Sequence, residues 1–177
     1  MGQHQTHRPA DRRLRPGDHR HRGPHHFRRL TKPARGRDVR QPPCAALTAL
    51  LAKVPELPVV LDHLAKPPVA TGDDGTWERD IRALAALPQV SVKLSGMPPE
   101  LRDGQELVSA ARPWLEIALD AFGADRAMVG SDWPVSSMLP RRLSPGRWLS
   151  MVLDELAPSP AEREQLSWRT ASRFYGV

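Results

Sequence analysis

A single cysteine, Cys44, is present in the 177 residues. It excludes an internal disulfide framework and any cluster of cysteine metal ligands. Long apolar runs are also missing, so no segment reads as a membrane span. The N-terminus MGQHQTHRPADRRLRPG lacks the apolar core of a secretory signal, which makes a cytoplasmic location the expectation. Aromatic residues are scarce at 5%. Histidine is absent from most of the chain: six of the seven lie in the first 40 residues, and His63 is the remaining one.

Charge is unevenly placed. Residues 1–40 hold 12 Lys and Arg against 3 Asp, and the rest holds 14 against 17 acidic residues, so the net +6 is +9 followed by −3. The first segment has no period of 2 or 3.6 in its few apolar residues. It cannot bury enough surface to offset its conformational entropy, and residues 1–41 are expected to be a disordered basic leader. Such an arm would bind polyanions, including nucleic acid, without sequence preference and with strong salt dependence. It offers only Phe27 for base stacking. The abrupt junction is what out-of-frame reading of a GC-rich gene produces, and a frameshift or misplaced start before about residue 41 is the expectation.

From residue 42 to 177 the pattern is that of an ordinary globular chain. Helices are expected at CAALTALLAKV (44–54), GTWERDIRALAAL (75–87) and GQELVSAARPWLEIALDAFG (104–123), the last with Pro113 as a candidate break and Gly123 as C-cap. PGRWLSMVLDEL (145–156) and PAEREQLSWRTASRFYG (160–176) close the chain as two more. Strands are expected at ELPVVLDH (56–63), QVSVKLSG (89–96) and RAMVGSD (126–132). Trp77, Ile81 and Leu84 fall on one helix face, and Trp114, Trp148 and Trp168 are also assigned to core packing. This βαβαβ order predicts an α/β fold with a parallel sheet. The three strand ends carry Asp62 and His63, Lys93 and Ser95, and Ser131 and Asp132. Polar residues at successive C-terminal strand ends are the layout of an active-site face. Asp132 alone would read as a turn residue before Trp133 and Pro134, and Lys93 alone could snorkel from a half-buried strand.

Four segments, VVLDHLAKPP (59–68), VSVKLSG (90–96), AFGADRAMVGSDWPV (121–135) and TASRFYGV (170–177), resemble the amidohydrolase family of metal-dependent hydrolases, in particular its sugar-lactone branch. The resemblance implies a TIM-type (β/α)₈ barrel that hydrolyses a small lactone, ester or amide. It implies Asp132 as the carboxylate that takes a proton from water, and His63 as the histidine that binds a metal or polarises the carbonyl. Lys93, Lys66 and Trp133 would line the substrate pocket. A divalent metal such as zinc, if bound, would be held by His63 and Asp132. The family's opening His-x-His has a counterpart in His19 and His21, but no apolar strand precedes them and they are not assigned to the site. A full barrel typically takes ~250 residues, so residues 42–177 read as its C-terminal part. An incomplete barrel would expose sheet edges that invite self-association, and little or no hydrolysis is expected of the chain alone.

Overall fold

The computed structural model describes residues 44–73, 75–138, 144–157 and 159–177. The readings made for residues 1–41, namely disorder, polyanion binding, the shifted frame and the His19–His21 pair, lie outside the described residues. No described helix is long and apolar enough to cross a membrane.

Among the described residues three short strands form one parallel sheet: β1 (Val59–Leu61), β2 (Val90–Leu94) and β3 (Ala127–Val129), in that spatial order. The register pairs Val59 with Val90, Leu61 with Val92, Val92 with Ala127 and Leu94 with Val129. α1 (Cys44–Leu51) precedes β1, α2 (Thr76–Ala85) joins β1 to β2, and α3 (Leu107–Phe122) joins β2 to β3. All three strands fall within the segments expected from the sequence, each shorter at both ends.

Alternation along each strand divides the sheet into two unlike faces. Val59, Leu61, Val90, Val92, Leu94 and Ala127 point to one core, which Trp77, Ile81 and Leu84 of α2 fill together with Leu115, Ala118 and Phe122 of α3. Burial of each such large side chain stabilises the fold by roughly 1.5–3 kcal/mol. Val60, Lys93 and Met128 point the other way and face a cavity. At the lower end of the sheet, the Arg126 guanidinium donates to the carbonyls of Ala85, Leu87 and Val90 at 2.8, 3.2 and 3.3 Å, tying α2 to the starts of β2 and β3.

Two helix expectations are corrected. α3 runs through Pro113 without a break. Its N-terminus is capped by Glu106, which accepts from the amides of Val108 and Ser109, and its buried face continues past the proline through Leu115, Ala118 and Phe122. The closing helices are not uniform. α4 (Pro145–Ser150) continues as a π-helical stretch, Met151–Leu156. α5 (Pro160–Glu164) passes through another, Gln165–Arg169, into α6 (Thr170–Tyr175). The wider π turn rotates later side chains out of α-helical phase. Trp168 lies in it and is exposed, 53%, instead of joining the core. Trp77 and Trp148 are buried as expected, and Trp114 packs at the core's margin.

Candidate active site

Immediately after β1 the backbone does something no glycine or asparagine announces. His63, Leu64, Ala65 and Lys66 all have positive φ, between 52° and 57°, and form one left-handed turn. Each such L-residue costs roughly 1–2 kcal/mol, so several contacts must act together to hold it. Leu64 is fully buried, its carbonyl accepts from the Trp77 indole N–H at 2.9 Å, and Lys66 ion-pairs with Glu100 at 2.6 Å. Trp77 is itself fixed by an edge-on contact with Trp114, centroids 5.1 Å apart.

The turn presents the His63 ring to the ends of the other two strands. Nδ1 meets Ser95 Oγ, one residue past β2, at 2.9 Å. Nε2 faces Asp132 Oδ1, three residues past β3, at 3.6 Å. Gly96 lies directly against the ring: a Cβ there would be 2.5 Å from Nδ1. Asp132 has a left-handed backbone as well, φ 54°. Its Oδ2 accepts from the Ser136 hydroxyl at 2.7 Å, which leaves Oδ1 toward His63. The histidine and the carboxylate are 20% and 10% exposed, reachable yet largely shielded from water.

These groups open onto a cavity of about 520 Å³, lined among others by Val60, His63, Lys93, Ser95, Asp132 and Tyr175. Lys93 sits on the cavity face of β2, opposite in direction to Val92 and Leu94, and its ammonium pairs with the buried Asp62 at 2.9 Å and lies over the Tyr175 ring. Burial pulls the Lys93 pKa down, but hydrogen bonds to Tyr175 and Asp62 outweigh it, and the net shift is upward. Trp133 reaches the rim of the cavity and is mostly exposed; it begins an apolar stretch with Val135 and Met138. Lys66 is held by Glu100 and is not among the lining residues.

The structure therefore brings four of the five sequence-derived site residues, His63, Asp132, Lys93 and Trp133, to one cavity and turns Lys66 aside. Sequence reasoning misses Gly96, Ser136 and Tyr175. Only the Ser-Gly ending of β2 hints at the first of these.

Two donors, His63 Nε2 and Asp132 Oδ1, point toward one another at a separation two ligands of one ion have. A catalytic zinc site draws three ligands from the protein. Among the described residues no group of three His, Cys, Asp or Glu side chains is placed to hold a metal. The described residues do not fit such an ion by themselves, and the chemistry below is assigned to the side chains alone.

The profile of the amidohydrolase family matches residues 21–177, starting ahead of the boundary at residue 42 inferred from composition. An L-fucono-1,5-lactonase of Burkholderia ambifaria is 40% identical over 135 residues, 75% of this chain and 46% of that protein. A 4-sulfomuconolactone hydrolase of Rhizobium radiobacter is 30% identical over 126 residues, 69% of this chain and 40% of that protein. A crystal structure of an amidohydrolase from Burkholderia multivorans with bound zinc superposes with a TM-score of 0.69 at 37% identity, over 76% of this chain and 49% of that one. The chain thus spans about half the length of the relatives it matches. On the extent of the profile match and the identity to these relatives, the chain belongs to the amidohydrolase family.

Proposed function

We propose that this chain is a hydrolase that opens a lactone ring by attack of water, with a sugar lactone such as L-fucono-1,5-lactone as the first substrate to try. The observation that carries the reading is the approach of His63 Nε2 to Asp132 Oδ1 at 3.6 Å, over a cavity at the C-terminal ends of adjacent parallel strands. The names of the lactone-hydrolysing relatives support the choice of substrate class. In this reading the three-stranded sheet is an arc of a (β/α)₈ barrel, and its cavity face is the barrel's interior.

Asp132 Oδ1 takes a proton from a water that attacks the lactone carbonyl, with Ser136 on Oδ2 keeping the carboxylate oriented. His63 Nε2 faces the carbonyl oxygen and stabilises the negative charge that develops on it. Collapse of the tetrahedral adduct breaks the ring C–O bond. The proton held by Asp132 passes to the departing alkoxide, and the product is a hydroxy acid. Lys93, held charged by Asp62, supplies a cation on the cavity wall for ring hydroxyls or the new carboxylate. Trp133 offers the rim an apolar face for the sugar ring. With the cavity walled by three strands and the last helix, turnover is expected to be low.

The test is acid release from L-fucono-1,5-lactone by the 177-residue protein and by Asp132→Asn. The reading expects slow turnover above buffer that Asp132→Asn strongly reduces. Equal rates for both proteins would overturn it.

A further inference from the structure

Ser95 has a role that the family resemblance does not assign. Its hydroxyl is buried, 2% exposed, and among the described residues His63 Nδ1 is its one hydrogen-bond partner. A buried hydroxyl whose proton has no acceptor loses roughly 1–3 kcal/mol. If the neutral His63 ring carried its proton on Nδ1, that N–H would donate to Ser95 Oγ. The hydroxyl's own proton would then lack a described acceptor. If Nδ1 is unprotonated, it accepts the Ser95 O–H and both groups are satisfied.

We infer that Ser95 is a positioning residue that fixes the neutral His63 ring as the tautomer protonated on Nε2, so that an N–H donor faces the substrate and Asp132. Gly96 reinforces the arrangement sterically. It lies directly against the ring, where an added Cβ would be 2.5 Å from Nδ1, and so restricts where the ring can sit beside Ser95. Gly130 also lies close to Ser95: an added Cβ there would be 3.3 Å from Ser95 Cβ and 3.5 Å from its Oγ. The electronic consequence is direct. An N–H on Nε2 donates to a carbonyl oxygen or an oxyanion, whereas a lone pair there would repel it. The catalytic use of that donor rests on the reading of the site as a lactone hydrolase; the tautomer itself does not.

The two are separated by measuring the ring directly. Full-length protein with ¹⁵N-histidine, recorded at a pH where the ring is neutral, gives long-range proton–nitrogen correlations that report which nitrogen is protonated. His63 is assigned by its loss in His63→Gln. The expected result is a protonated-type Nε2 and an unprotonated-type Nδ1 in the wild type, and a mixture of tautomers in Ser95→Ala. A wild-type ring protonated on Nδ1 would overturn the inference even if Ser95→Ala failed to fold, and so would an unchanged ring in a folded Ser95→Ala. Where lactone opening is measurable, Ser95→Ala is expected to lower it roughly 10–100-fold, the scale on which losing a partner that orients a metal-bound histidine acts. The expected tautomer with no lactone opening in the wild type would contradict the proposed activity and leave the role of Ser95 standing.

Discussion

Gly96 and His63 are in such close approach that a methyl on Gly96 would be 2.5 Å from Nδ1, 2.6 Å from Cγ and 2.7 Å from Cβ of the imidazole. The glycine also has φ of 68°, so it both tolerates the turn after β2 and makes room for the ring that the turn after β1 delivers. Gly96→Ala is therefore expected to displace His63. Lactone opening should fall roughly 100-fold, the scale of a misplacement of about 1 Å. Gly72→Ala is the control: its φ is 80° but nothing lies within 4 Å of the added carbon. Backbone strain of about 1–3 kcal/mol should appear in both variants as lost thermal stability, and loss of turnover in Gly96→Ala alone.

The left-handed turn at His63–Lys66 hangs on Trp77. Trp77→Phe keeps an aromatic ring in the core and removes the N–H that the Leu64 carbonyl accepts at 2.9 Å. Leaving that carbonyl short of a partner should cost about 1–3 kcal/mol. Thermal denaturation should show it as a drop of roughly 2–4 °C per kcal/mol. An unchanged melting temperature would mean that the indole N–H does not hold the turn.

Lys93 links pH to stability. Its folded-state pKa lies above the ordinary 10.5, because hydrogen bonds to Tyr175 and Asp62 more than offset its burial. A raised pKa means that the folded state binds the proton more tightly, so the contribution is complete below about pH 10.5 and is lost as pH climbs through the folded value. Lys93→Met should be less stable than wild type by about 1.5–3 kcal/mol at neutral pH, the range for hydrogen bonds to charged groups. The gap should narrow in strongly alkaline buffer. Denaturant titrations at neutral pH and above pH 11 would check it.

Cys44 begins α1 and is buried, and burial, with Asp80 nearby as the smaller cause, pushes its thiol pKa up. The thiolate is the reactive form. The native protein is expected to react slowly with a disulfide reagent at neutral pH and rapidly once denatured. Fast native reaction would contradict the burial of Cys44.

Much of this arrangement can be read from the chain. Runs of Val and Leu place the three strands, and the alternation Val92–Lys93–Leu94 puts Lys93 on the cavity face. Family motifs point to His63 and Asp132. The geometry joining them is less legible. HLAK contains no glycine, asparagine or aspartate to announce positive φ, and contacts with the distant Trp77, Ser95 and Glu100 help to hold the left-handed turn there. Gly96 follows a serine that looks like any strand end, since its significance depends on a ring from a different strand. Trp168 is misread because an α-helical period was applied across a π turn. For the turn and for Gly96 the missing information is a contact between residues far apart in the sequence; for Trp168 it is the local helix type.

The central claim is that His63 and Asp132 act as one unit, and the most direct measurement is a double-mutant cycle on lactone opening. Rate constants are needed for wild type, His63→Gln, Asp132→Asn and the double variant. Groups that act together are strongly non-additive, so the double variant should be no slower than the slower single one. If the two losses multiply, or if neither substitution slows the reaction, the pairing of His63 with Asp132 is not the site of catalysis.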